Sequence, residues 1–211
     1  MRIAFRVLWQ AIKDYYEEMF ILAGASLLWA VLAVPVVTLP PATAGMYYLT
    51  NHVARHKSVE FGLFFEGFKK FFVKSWLLTL LNLGVLFVLY TNYQFYARYE
   101  AQWSAVIQGL VVGAGVIWCL IQIYVFPMLL EQQEPRLLLA VRNAAYLTFA
   151  SPITTLLLAV LMVVVVAISV TLVVLFPLAM MAVLALMGNG AVLTLLVHFG
   201  IRKPPEEITE G

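Results

Sequence analysis

His52 and His56, four residues apart with Glu60 nearby, are the residues whose type and spacing first suggest chemistry. Two histidines at that spacing can share a helix face and bind a metal ion. Neither an HExxH frame nor a cysteine pair accompanies them, and a zinc site needs such further ligands. They read as polar residues at a membrane interface beside Arg55 and Lys57, as does His198. We therefore assign no metal, no cofactor and no catalytic residue.

Six uncharged polar residues remain as candidate ligand-contacting positions: Thr38, Thr43, Asn82, Gln108, Gln122 and Asn189. The four amides lie in apolar stretches, where they either hydrogen-bond between helices or line a polar path. Gly113, Gly115, Gly188 and Gly190 read as points of close helix packing. Thr38 and Thr43 bracket a proline-rich turn, and the Thr38 hydroxyl is placed to cap the helix that Pro40 and Pro41 start. Asp, Glu, Lys and Arg are missing from the apolar stretches themselves. Proton relays, ion-coupled carriers and intramembrane hydrolases place such groups in their spans, so these classes lose weight.

The elements that position these residues are set by composition. Of 211 residues, 64% are hydrophobic and 11% charged, with mean hydropathy +0.95. Soluble domains carry roughly 45–50% apolar and about 25% charged residues. The chain reads as an all-α integral membrane protein, one membrane domain over 1–211. A net charge of +2 acts first as an orientation signal and implies no nucleic-acid partner; the partner that composition demands is the lipid bilayer. The single cysteine, Cys119, lies mid-span.

Six hydrophobic helices are expected as three hairpins, over 20–54, 76–127 and 152–199. In the last, Pro177 divides the run evenly. In the first, "PVVTLPPATAG" turns the chain back, and the returning helix reaches only about 24 Å. It crosses a thinned bilayer or folds back as a re-entrant hairpin. Charge decides the turn: with it, twelve of the thirteen Lys and Arg fall on one side and only Arg98 on the other, as the bias of cytoplasmic loops requires. Both termini are then cytoplasmic. Amphipathic interfacial helices precede the hairpins at 2–18, 59–74 and 135–149, and 200–211 forms a tail. In 59–74 the apolar stripe is Phe61, Phe64, Phe65, Phe68 and Phe72.

"LLWAVLAVPVVTLPPATAGMYYL", "FFEGFKKFFVKSW" and "FPMLLEQQEPRLLLAVRNAAYLTFASP" resemble, in order, the YesL-like family of bacterial multi-pass membrane proteins. That family has a Thr-x-Gly-Pro-Ala turn where this chain has Thr38-Leu39-Pro40-Pro41-Ala42. The resemblance implies the bacterial cytoplasmic membrane and an association with carbohydrate uptake; it implies no activity. The expected function is that of a non-catalytic accessory or assembly partner of another membrane protein or transporter component. The alternative is a small uncoupled transporter or channel with a polar path between the hairpins. A lipid-handling enzyme is a third class, for which the sequence names no nucleophile.

Overall fold

The first sixteen helical residues sort onto three faces. In the computed structural model, which describes residues 2–99, 102–172 and 176–202, helix α1 (Arg2–Glu17) buries Ala4, Val7, Ala11 and Asp14 along one stripe. Phe5, Trp9, Ile12 and Tyr16 form a second stripe and are exposed. Arg6, Gln10, Lys13 and Glu17 form the third. Residues three and four apart share a helix face, so one helix carries a buried side, an exposed apolar side and a polar side.

Helix α2 (Met19–Ala33) leaves α1 at 97°. A turn at 34–38 follows, with Val36 at φ 55°, a left-handed conformation that a β-branched residue adopts only under strain. Helix α3 is Leu39–Ala54. The expected cap at its start is absent: the Thr38 hydroxyl donates to the Leu32 carbonyl at the end of α2, so it ties off the preceding helix. Thr38 backbone is itself helical (φ −90°, ψ −8°), which takes its side chain away from the α3 amides. Pro40 and Pro41 reduce the need for a cap, since they have no N–H to satisfy. Thr43 accepts a 3.0 Å hydrogen bond from Trp29 Nε1, pinning α2 to α3.

The expected helix over 59–74 is instead α4 (Gly62–Lys70) and the start of α5 (Phe72–Tyr96), broken at Phe71. Phe64 leaves the lipid-facing stripe and is fully buried. The reason is a close crossing of α3 and α4. A Cβ on Gly45 would lie 2.6 Å from the Phe64 carbonyl oxygen, and one on Gly67 would lie 2.4 Å from Tyr48 Cβ. Only paired glycines allow that approach.

Helix α6 (Gln102–Leu130) runs through Pro127, where an ending was expected. Proline leaves the Ile123 carbonyl without its i+4 donor, and Gly188 packs over that spot: a Cβ there would lie 3.3 Å from Pro127 Cγ and 3.4 Å from the Ile123 oxygen. Helices α7 (Leu137–Ala150) and α8 (Pro152–Thr171) follow. Residues 173–175, assigned to the same span from sequence, lie outside the described residues. A single π-helical turn, Phe176–Met180, containing Pro177 leads into α9 (Met181–His198). Helix α9 is continuous through Gly188 and Gly190. The tail beyond residue 202 also lies outside the described residues.

Among the described residues the structure is all-helical, with no strand. Four helices are long and apolar enough to cross a bilayer: Phe72–Tyr96, Trp103–Leu130, Pro152–Thr171 and Pro177–His198; counting the bent α1–α2 pair as one span gives five. At fifteen and sixteen residues, α2 and α3 are each too short alone, at about 1.5 Å per residue. The core lies between α3 and α9, which pack on each other and together touch α1, α2, α4, α5, α6 and α8. Leu49, Met46, Leu186, Met187 and Leu195 fill it. The outer surfaces of α5, α6 and α8 expose Leu83, Phe87, Leu110, Val160 and Val163, the make-up of a lipid-facing wall in a multi-pass protein.

Candidate functional site

Asn189 sits in the middle of α9 and is fully buried. Its Nδ2 donates to the Tyr47 carbonyl and to Thr50 Oγ1, each at 3.0 Å. Its Oδ1 accepts from Asn51 Nδ2 at 3.4 Å. Thr50 passes its own proton back to the Met46 carbonyl at 2.8 Å. The amide is thus saturated by α3, and its role here is interhelical hydrogen bonding.

The network continues outward. Asn51 Nδ2 also donates to Glu131 Oε1 at 3.2 Å. Glu131, just beyond α6, accepts from Arg55 Nη2 at 2.5 Å on one oxygen and from Arg202 Nη1 at 2.7 Å on the other. Its side chain is only 11% exposed. One carboxylate therefore fastens the ends of α3, α6 and α9 together. Breaking a buried pair by removing one partner strands the other charge and costs about 3–5 kcal/mol.

Beside this latch opens a cleft of about 430 Å³ between α1, the end of α3 and the second half of α9. Its lining holds three guanidinium groups, Arg6, Arg55 and Arg202, and the His56 imidazole, against a single carboxyl group, Asp14. Asp14 accepts from Gln10 Nε2 at 2.7 Å and is almost wholly buried. Burial raises its carboxyl above the usual range, opposed by the Gln10 hydrogen bond and by His56 and Lys13. His56 occupies a left-handed position (φ 51°) just past α3. There its N–H bonds the Val53 carbonyl at 2.8 Å while Lys57 N–H bonds the His52 carbonyl at 3.1 Å. That is the Schellman closure, in which glycine is the usual occupant. The turn takes His56 off the helical face of His52, whose Nδ1 lies 3.0 Å from the Tyr48 carbonyl. Among the described residues no group of three or more His, Cys, Asp and Glu could hold a metal.

The remaining amides lie elsewhere. Asn82 Nδ2 donates to Gln122 Oε1 at 3.3 Å, and Trp118 Nε1 donates to Asn82 Oδ1 at 3.1 Å, joining α5 to α6. Gln108 bonds Ser104 in its own helix at 3.1 Å. None of the four amides lines the cleft. Of the glycines, Gly188 makes the close contact expected; Gly113 has nothing within 4 Å, and Gly115 and Gly190 would meet only ordinary contacts at 3.7 Å.

Residues 22–93 match the family model described as protein of unknown function, DUF624. The match runs from α2 into the last turn of α5, and takes in Asn51, Arg55 and His56 but not Glu131 or Asn189. No curated protein and no solved structure matches the chain.

Sequence reasoning used Arg55 only as an orientation marker and gave Asp14 and Glu131 no role. Asp14 carried a legible signal: it continues the Ala4, Val7, Ala11 stripe, so a carboxylate stands on the face that small residues mark for burial. Glu131 carried a weaker one, as the first carboxylate after a 29-residue helix.

Proposed function

We propose that the chain is a non-catalytic, multi-pass protein of the bacterial cytoplasmic membrane that serves as an accessory or assembly partner of another membrane system. The observation that carries this reading is the use made of its amides. Asn189 is held within the α3–α9 contact, and Asn82 bonds both Gln122 and Trp118, so three of the four amides that a polar path would use act as fasteners between helices. The short α2–α3 hairpin joins the four long spans as a re-entrant or thinned-bilayer pair. The amphipathic helices α1, α4 and α7 gather toward the cytoplasmic end, and both termini face the cytoplasm. A carbohydrate-uptake system is the partner that the resemblance to YesL-like proteins implies.

Reporter fusions after Lys57 and after Tyr99 test the topology: opposite sides are expected, and the same side would remove the first hairpin. Proteoliposomes containing the purified chain test the function. Sugar and ion fluxes should equal those of empty liposomes, while mild-detergent purification from its host yields one stoichiometric membrane partner. Saturable flux through the chain alone would replace this reading with the transporter.

A further inference from the structure

We propose that the cleft between α1, α3 and α9 binds a phosphate group, carried either by an anionic lipid headgroup or by a soluble phosphate ester. The proposal stands independently of the accessory role. At about 430 Å³ the cleft falls within the size range of small-ligand sites, about 300–1,000 Å³.

Three guanidinium groups converge on it from separate parts of the chain: Arg6 from α1, Arg55 from the end of α3, and Arg202 from beyond α9. Guanidinium is suited to phosphate because its forked donors match two oxygens at once. Glu131, behind the lining, takes one Nη from each of Arg55 and Arg202. That holds both planes in place and leaves further N–H groups of each to donate. Arg6 makes no ion pair among the described residues.

Backbone geometry adds to the donor set. His56 is held in the cleft wall by a left-handed conformation that glycine would adopt without steric cost. The His56 imidazole thus faces the cleft at a position where glycine would offer backbone alone. Gly190 and Thr194 of α9 form the floor, with Val7, Leu193 and Val197 alongside. The site therefore offers charge for a phosphate and an apolar margin for the carbon skeleton attached to it.

The full chain in nanodiscs of phosphatidylcholine is the material for the test. Inorganic phosphate and glycerol 3-phosphate are titrated against chloride at equal ionic strength, and a second set of nanodiscs carries phosphatidic acid. Melting temperature and calorimetric binding are read for the wild type, Arg6→Gln, His56→Gly, Asp14→Asn and the remote charge control Arg142→Gln. Saturable binding of at least one probe is expected. Arg6→Gln should weaken it by about tenfold or more, the loss of one charge-assisted contact. His56→Gly should weaken it several-fold while melting no lower without ligand, because the strain leaves with the imidazole. Asp14→Asn should tighten it, and Arg142→Gln should bind as wild type. A response to the soluble probes identifies a phosphate ester as sufficient; a response confined to phosphatidic acid identifies the lipid headgroup. No saturable response to any probe, or equal losses in Arg6→Gln and Arg142→Gln, overturns the proposal.

Discussion

Asn189 and Asn82 carry the same side chain in apolar helices, yet the structure gives them different consequences. Replacing Asn189 with Leu keeps the branched shape but removes three hydrogen bonds that tie α9 to α3 in a fully buried place. Each such bond contributes about 0.5–1.5 kcal/mol net. Asn82→Leu removes a part-buried interhelical bond, and such bonds average about 0.6 kcal/mol in membranes. Thermal unfolding in detergent should show Asn189→Leu melting well below Asn82→Leu; equal melting would place both amides in comparable surroundings. Asp14 gives a prediction with a pH sign. Its folded-state carboxyl is raised by burial, so any stability it contributes is present at acidic pH and is lost as pH rises through the folded value. Asp14→Asn should therefore raise the melting temperature at pH 8, and the gain should fade toward pH 4. A gain that is constant with pH would mean the carboxyl does not titrate in the fold. Which amides were buried was legible in part from their apolar neighbours. Which face each amide took was not, because a span that is apolar all round has no polar side to orient it.

Between helices, the phenylalanine periodicity over 59–74 was real but was shared by two elements. Phe72 keeps the three-and-four spacing although it begins α5, so the pattern ran across a break that periodicity could not register. The signal for the crossing of α3 on α4 lay in Gly45 and Gly67, which nothing in the sequence pattern singled out. Gly45→Ala should destabilise by about 1–3 kcal/mol, the usual result of overpacking, because the atom in its way is a backbone oxygen. Gly84→Ala, with nothing within 4 Å of the added carbon, should be neutral or stabilising, since glycine in a helix interior costs about 1 kcal/mol against alanine. A matching loss at both positions would place the α3–α4 crossing farther apart. The turn at 34–38 was found from its prolines, while the use of the Thr38 hydroxyl was not: a threonine there can serve the helix behind it or the one ahead, and sequence does not choose.

At the scale of the whole molecule, hydropathy and charge marked the chain as helical and membrane-embedded, but the pairing of α3 with α9 was not written in either. Apolar spans of similar composition carry no label for their neighbours. The same outward display of apolar side chains on α5, α6 and α8 gives a test that separates scaffold from channel. Cys119 is exposed midway along α6, on a surface that the accessory reading turns toward lipid. A water-soluble maleimide should leave it unlabelled in native membranes and label it after denaturation in detergent. Rapid labelling in native membranes would put water beside α6 and favour a conducting path.

The α3–α9 contact joins residues 138 positions apart, and that separation bears on how the protein is made. The ribosome releases α3, a sixteen-residue helix carrying Thr50 and Asn51, well before it makes α9. Until then the short first hairpin has neither the length to anchor itself nor the carboxamide that satisfies it. Nascent chains must therefore wait in a provisional state, sheltered by the insertion machinery, and a message cut short before α9 should yield a product that membrane proteases clear quickly. Completion of α9 closes this contact, so a helix translated long after the short hairpin decides whether that hairpin stays.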